Sequence, residues 1–485
     1  MVRGNMTFGE QCGTSLTRRG LLAALAGLGG QALLPRFASA ETADKPFVIE
    51  AKPSHVRFLP QGAATPVWGY GGTIPGPEIR VRQGGEVFAR LINGIGEPTT
   101  VHWHGIRIDN AMDGVAHLTQ HPVAAGQSFD YRFKVPDAGT FWYHPHAHFP
   151  MQQERGLYGL LIVEEPEPVA VDREMSLIID DWRLNVDGTI ETQSLAHLFD
   201  AAHAGRIGNL LTVNGRVAPE LPARAGERLR VRLCNACNAR VLELLFEGVR
   251  GQIIAVDGQP IAPEELTPAD PLVIPPSGRV DLVLDLTGEP GSRAAVMEVT
   301  RQPVALTHFA LTAGDPARDK PLDTPVRLPR NPVRAPDLTQ NPLVFPLRME
   351  GGAMSRMAGA HFKGQYYSLR DLAQKHRMVW AFNGNADDGH GEPMFTVAAG
   401  RPVVIEMVND TAWPHAMHIH GHHMLVTARS RGAVKPWFRD TVLMEPRESM
   451  TVAFLADNPG KWMFHCHMLE HQMAGMSAYF EVNSA

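Results

Sequence analysis

The sequence is poor in cysteine, in surplus positive charge and in long apolar runs. Four cysteines in 485 residues cannot make a disulfide scaffold. Lys and Arg number 45 against 51 Asp and Glu, so no basic excess exists to hold nucleic acid or an anionic lipid surface. Beyond the N-terminal segment no apolar stretch is long enough to cross a bilayer. Long helical patterns are scarce as well. Glycine (46) and proline (38) are abundant, beside 44% hydrophobic and 20% charged residues. That balance describes a globular chain with a sizeable core and many turns, which favours an all-β build. The length suggests two to four domains.

Residues 1–40 read as a leader rather than as fold. Arg18 and Arg19 precede an apolar run from Leu21 to Leu34, and Ala38-Ser39-Ala40 supplies a small-residue cleavage site. This is the pattern of a twin-arginine signal peptide, and it predicts a periplasmic or secreted protein handled by the twin-arginine export machinery. Removing the segment leaves 41 basic and 50 acidic residues, a net charge of −9, and takes Cys12 away. Cys234 and Cys237 have no His or Cys neighbours at zinc spacing and read as structural, either as thiols or as a local disulfide.

One pattern occurs three times. Each copy has a proline, an alternating strand, a glycine turn, a second alternating strand and an asparagine. The copies end at Asn93, Asn235 and Asn409, about one domain length apart. Period-two alternation recurs in Phe129, Tyr131, Phe133 and Val135, in Val280, Leu282, Leu284 and Leu286, and in Met450, Val452 and Phe454. Glu164–Pro168 and the proline-rich 316–346 read as linkers. These features predict three β-sandwich domains at 45–165, 170–320 and 340–485, the second linker being an extended wrap.

Histidine is clustered. His102-Trp-His104 and His144-Pro-His146 lie in the first domain. His415, His418 and His420, then His465-Cys466-His467 with His471, lie in the third. Residues i and i+2 of a strand face the same way, so each His-x-His pair offers two imidazoles on one face. Two pairs from one domain facing two from another would build a metal cluster at the interface. In His465-Cys466-His467 the two histidines face one side and the thiol the other, so one strand can serve two sites. A thiolate with two histidines and a distant thioether is the blue-copper set, and Cys466, His415, His471 and Met476 supply it. Eight further histidines with no carboxylate also suit copper better than zinc or iron.

With these motifs the sequence resembles the three-domain multicopper oxidases, the family of laccases, bilirubin oxidases and bacterial cuprous oxidases. The resemblance spans nearly the whole chain after the leader. It includes Pro75-Gly-Pro77, His102-Trp-His-Gly105, Trp142-Tyr-His-Pro-His146, Gly156-Leu-Tyr-Gly159, His418-Ile-His-Gly421 and Asn458-Pro-Gly460. It implies three consecutive cupredoxin-like Greek-key β-sandwich domains and four Cu per chain. His102 and His418 would hold type 2 copper. His104, His144, His146, His420, His465 and His467 would hold the type 3 pair. His415, Cys466 and His471 would hold type 1 copper, with Met476 preferred over Met473 as axial ligand by the family spacing.

The implied reaction takes single electrons from a small reductant, Cu(I) or a phenol, and reduces dioxygen to water. Asp113 matches the family's carboxylate near type 2 copper and is a candidate proton carrier. Where bacterial relatives often carry Glu after the last ligand, this chain has Gln472, so Glu470 or a water chain is the alternative carrier. Met349, Met354, Met357 and His361 form a sparse version of a methionine-rich Cu(I) segment, or ordinary packing. His148, His422 and His423 read as orienting or surface residues. The competing readings are a copper-storing protein with little turnover and a copper-free scaffold relative. Copper nitrite reductases fit less well, being two-domain proteins without the full set of pairs.

Overall fold

In the computed structural model the described residues are 45–59 and 63–484, with a short strand at Ala38–Ser39. The expected signal peptide otherwise lies outside the described residues. Among the described residues no helix is long and apolar enough to cross a membrane.

Among the described residues the strands form three consecutive pairs of sheets, with one further hairpin of Gly359–Phe362 and Gln365–Ser368. The alternation seen in the sequence explains each layer. Strand Ser128–Lys134 turns Tyr131 and Phe133 into the first core, Arg279–Leu286 turns Leu282 and Leu284 into the second, and Ser449–Ala456 turns Val452 and Phe454 into the third. Each pair of sheets closes over its own apolar core, as facing sheets must to bury one face each.

The threefold repeat is topological. The opening strand of each sandwich runs parallel to the strand that ends in the repeated asparagine. Phe47–Val56 lies beside Glu86–Asn93, Arg173–Trp182 beside Arg228–Asn235, and Leu343–Gly351 beside Arg401–Asn409. The asparagine strand meets an antiparallel partner on its other edge, Ser128–Lys134, Arg279–Leu286 and Ser449–Ala456 in turn. A simple meander would have no parallel neighbours, so the chain crosses over in the Greek-key manner.

The asparagine itself is a latch. Asn93 Nδ2 donates to Glu97 O (2.9 Å) and Val123 O (2.8 Å), while its Oδ1 accepts from Ile95 N (3.1 Å). Asn235 does the same with Arg240 O, Ile274 O and Cys237 N, and Asn409 with Trp413 O, Glu445 O and Thr411 N. All three side chains are buried. Each fastens the loop leading into the next strand. In the first and third sandwiches that strand is His102–His104 or His415–Ile419; in the second it is Leu242–Glu247, which has no histidine.

The segment between the second and third sandwiches, 312–342, contains no strand and crosses the surface as an extended strap. Val326 and Leu328 pack on Val169, Val171, Ile254 and Val283. Asn331 bonds Ala138 N (2.9 Å), Ala138 O (2.8 Å) and Gly258 O (3.2 Å), tying the first and second sandwiches together. A buried charge network does the same. Arg230 and Arg232 converge on Asp281 (2.7 and 3.0 Å), and Arg232 and Arg80 both meet Glu174 at 2.8 Å. Cys234 and Cys237 are both buried free thiols. Cys234 packs with Trp142, Leu160 and Ile178, and burial pushes its thiol up to about 12, so it is an inert packing residue.

Candidate metal centre

Strand register brings the histidine pairs together. His102 stands opposite His144 on antiparallel neighbours in the first sandwich, and His418 stands opposite His465 in the third. The two sets meet face to face. The rings of His102 and His420 stack at 3.9 Å, and those of His104 and His418 at 3.7 Å.

Most of these imidazoles are tethered by an outer nitrogen and turn the other inward, as ligands need a fixed tautomer. His102 Nδ1 donates to Asp113 O (2.8 Å) and His418 Nδ1 to Asp440 O (2.9 Å). His144 Nδ1 reaches Pro145 O (3.0 Å), and His465 Nδ1 reaches Cys466 O (3.1 Å). His420 Nδ1 meets Asp113 Oδ2 (2.9 Å). His104 is reversed, with Nε2 on Asp440 Oδ1 (3.2 Å) and Nδ1 inward, 3.5 Å from His144 Nε2. His102 Nε2, His418 Nε2 and both nitrogens of His467 are buried without a partner. Orphaned lone pairs inside a protein are costly unless something accepts them. Burial, reinforced by the neighbouring rings, holds His144, His146, His420, His465 and His467 well below the usual imidazole range, hence neutral. Eight buried imidazoles aimed at one space fit a cluster of N-loving metal ions.

The thiol site is on the other face of the same strand. Cys466 pairs with Met417 and lies in the third core, while its neighbours His465 and His467 face the cluster. Cys466 Sγ lies 3.6 Å from His415 Nδ1 and 3.7 Å from His471 Nδ1, and the two nitrogens are 3.1 Å apart. Thr411 Oγ1 holds His415 Nε2 at 2.9 Å. Burial pushes the Cys466 thiol up to about 12, so a cation must displace its proton. Met476 is fully buried, and its backbone bonds both Cys466 (3.1 Å) and His471 (3.1 Å); Met473 is only half-buried.

Several supports had no sequence signal. Asp440 is fully buried between the three sandwiches. Arg279 Nη1 donates to its Oδ1 at 2.9 Å, a second guanidinium bond reaches its Oδ2, and Thr441 Oγ1 donates at 2.9 Å. Arg279 comes from the second sandwich, Asp440 from the third and His104 from the first. Gly105 explains its place in the motif here. It has φ +84°, and a Cβ would lie 2.3 Å from Arg279 Nη2.

The remaining candidates fall as follows. Asp113 touches the cluster, with Oδ1 3.2 Å from His102 Nδ1. Gln472 Nε2 lies 3.5 Å from His146 Nε2, so the chain does place an amide beside the cluster. The Glu470 carboxylate bonds Arg206 N (3.1 Å) and Asn238 Nδ2 (3.5 Å) of the second sandwich, and burial raises it to about 7. Met349 is a core residue, which removes it from the Cu(I) segment; Met357 is half-buried and Met354 is 71% exposed. His422 packs among Phe454, Trp462 and Phe480, and His423 meets Gln259 at 3.3 Å. His148 lines a cavity of ≈ 220 Å³ with His117, His390 and Asp388, and His146 forms part of its wall.

An eight-histidine cluster between two cupredoxin-like sandwiches, with a Cys-His-His site one peptide away, defines an oxidase that couples one-electron donors to dioxygen. The chain belongs to the multicopper oxidase family. Two family profiles, each described as multicopper oxidase, match residues 52–168 and 365–485 respectively. Multicopper oxidase MmcO of Mycobacterium tuberculosis is 31% identical over 448 residues, covering 84% of this chain and 81% of that protein. The crystal structure of a multi-copper oxidase from Pseudomonas thermotolerans is 34% identical with a TM-score of 0.79, covering 92% of this chain and 100% of that one. Lac15 from a marine microbial metagenome is 34% identical with a TM-score of 0.70, covering 90% and 100%.

Proposed function

We propose that this chain is an exported multicopper oxidase in which each tethered imidazole has a defined copper. His102 and His418 hold type 2 copper through their orphaned Nε2 atoms. His104, His144, His146, His420, His465 and His467 hold the type 3 pair. Cys466, His415 and His471 would hold type 1 copper, with the Met476 thioether as a further, weaker donor. The observation that carries this is the set of buried lone pairs without partners, beside one thiol flanked by two imidazole nitrogens.

Copper, when bound, supplies the one-electron acceptance at the thiol site and the reduction of dioxygen to water at the cluster. The chain's own groups do the rest. Cys466 is covalently adjacent to His465 and His467, so one strand joins donor side and acceptor side. Asp113 Oδ2 holds the Nδ1 proton of His420 and is placed to pass protons inward. The cavity walled by His146 and His148 is the entry for dioxygen and water. Glu470, by its contacts, holds the helix of His471 against the second sandwich rather than serving the cluster. The domain limits 45–165, 170–320 and 340–485, and the twin-arginine leader with a periplasmic or secreted destination, complete the proposal. Folding around a metal before export suits that route.

Oxygen uptake by the copper-loaded protein, with Cu(I), Fe(II) and a substituted phenol in parallel, tests it. Uptake with at least one donor is expected. No uptake with any of them, despite a blue absorption band, would leave a copper-storing protein as the better reading.

A further inference from the structure

Three histidines and an aspartate outside the proposed copper ligands meet at one place. His117, His148, His390 and Asp388 line the ≈ 220 Å³ cavity whose wall includes His146. The three histidines are exposed and form its outer rim, whereas His146 is buried at its inner end. Asp388 is 34% exposed, so an ion arriving from solvent reaches the whole group.

The rim is built from two sandwiches. Asp388 and His390 stand two residues apart on a loop of the third. The Asp387 carboxylate closes that loop by accepting from Gly389 N (2.6 Å), His390 N (3.1 Å) and Gly391 N (3.2 Å). Gly389 has φ +87°, and a Cβ there would lie 2.6 Å from Met463 Cε. The loop is thus seated on strand Gly460–Cys466, which also carries His465. From the first sandwich, the segment that follows Asp113 brings in His117. Its backbone is left-handed, with φ +64°, and its N–H donates to Gln120 O at 2.8 Å.

The hydrogen bonds of His390 leave one nitrogen for a cation. Its Nε2 lies 3.0 Å from Ala116 O. A carbonyl only accepts, so Nε2 carries a hydrogen. Nδ1 is then the lone-pair nitrogen of the neutral ring, and it faces Asp388 Oδ1 at 3.3 Å. Two lone pairs that face each other call for a cation between them. A proton is one solution. A metal ion is another, since bonds of about 2.1 Å to both atoms would close that gap at an angle of about 100°. Lys363 Nζ takes the other carboxylate oxygen, Oδ2, at 3.3 Å and leaves Oδ1 for the ion. The rings of His117 and His390 lie 5.8 Å apart at 68°, close to the 5.7 Å and 72° of His102 and His104 in the cluster. Tethering by one nitrogen to a carbonyl is also the device that orients His102 and His418.

We propose that His117, Asp388 and His390 form a fifth metal site, which takes copper(II) from solvent and from which the buried cluster is filled. The inference rests on the oxidase reading above, which supplies the cluster. Two imidazoles and a carboxylate suit a borderline divalent ion, and the divalent series binds such donors most tightly at Cu(II). Binding displaces the proton between Nδ1 and Asp388 to water, and no electron moves. An ion released inward along the cavity meets His146. Three donors at an exposed rim hold copper less firmly than eight buried imidazoles, so transfer runs inward.

The test follows Cu(II) ion on the full chain in the parent and two variants, His117→Ala and Asp388→Asn. Asp388→Asn keeps an oxygen facing His390 but removes the charge, and both variants leave the bond to Ala116 O in place. Dialysis of the four-copper parent against Cu(II) should show one further ion that a chelator removes, and each variant should bind it at least about tenfold more weakly. When metal-free protein meets limiting Cu(II), chelator-resistant copper should appear about five- to tenfold more slowly in the variants, because filling follows occupancy of the rim site. The final four copper ions per chain and the unfolding temperature should match the parent. Raising Cu(II) should restore the parental filling rate. Equal affinity for the removable ion, or equal filling rates, in parent and both variants overturns the proposal. A variant rate that stays low at every Cu(II) concentration overturns it too, and leaves the rim a structural latch between sandwiches. A parent that gains no chelator-resistant copper overturns the oxidase reading along with it.

Discussion

Gln472 puts an amide where the cluster borders the third sandwich's last helix. Its amide sits 3.5 Å from His146 Nε2, where a carboxyl group would be able to give and recover a proton. Gln472→Glu is expected to speed oxygen reduction at neutral pH by up to about tenfold, less than the roughly hundredfold or more that a fully engaged general acid contributes. Turnover measured with excess reductant checks it; no change would mean that proton supply runs through Asp113 alone. Arg279 makes a second residue-scale case. Arg279→Leu leaves Asp440 buried without its cation, which costs about 3–5 kcal/mol. Copper analysis should show loss from the cluster, with the blue type 1 band retained, because His104 and His418 both lean on Asp440. The histidine pairs that converge were legible in the sequence because strand geometry writes them at spacing two. Asp440 and Arg279 were not, since their partners come from segments that only folding brings near.

At the scale of elements, the asparagine latch is the device that repeats. Asn235→Ala removes three buried hydrogen bonds and leaves their backbone partners unsatisfied, a loss of about 2–4 kcal/mol. Because no copper ligand follows this latch, thermal unfolding should move to lower temperature while copper content holds. Asn409→Ala should cost similar stability but also weaken the blue band, since its loop delivers Thr411 and His415. The repeat and its strands were readable from alternation and punctuation. The helix Leu198–Ala202 was not: five residues carry too little periodicity to announce a helix. Of the two readings open for Met349, Cu(I) segment or packing, the strand takes the second. In a strand the same thioether serves as core filling, and only the register decides which face it takes.

For the whole molecule, the three sandwiches are joined by charge as much as by apolar contact. Glu174 is a useful reporter of that joint. Burial works against its ionisation, but Arg232, Arg230 and Arg80 outweigh it and hold the carboxyl at about 2 against an ordinary 4.5. A carboxylate lowered by folding stabilises fully above its unfolded value and loses that contribution as pH falls through its folded one. Melting temperature should therefore fall between about pH 4.5 and pH 2, with up to about 3 kcal/mol from this group. Glu174→Gln should be less stable at neutral pH and show a flatter acid limb in the same scan. An unaltered limb would place the acid sensitivity elsewhere.

The cluster's position between the first and third sandwiches also orders events in time. Half of its imidazoles arrive early in the chain and half near its end. A nascent or truncated chain holds an incomplete set with low grip on metal. The eight-imidazole space therefore exists only in a molecule whose first and third sandwiches have docked.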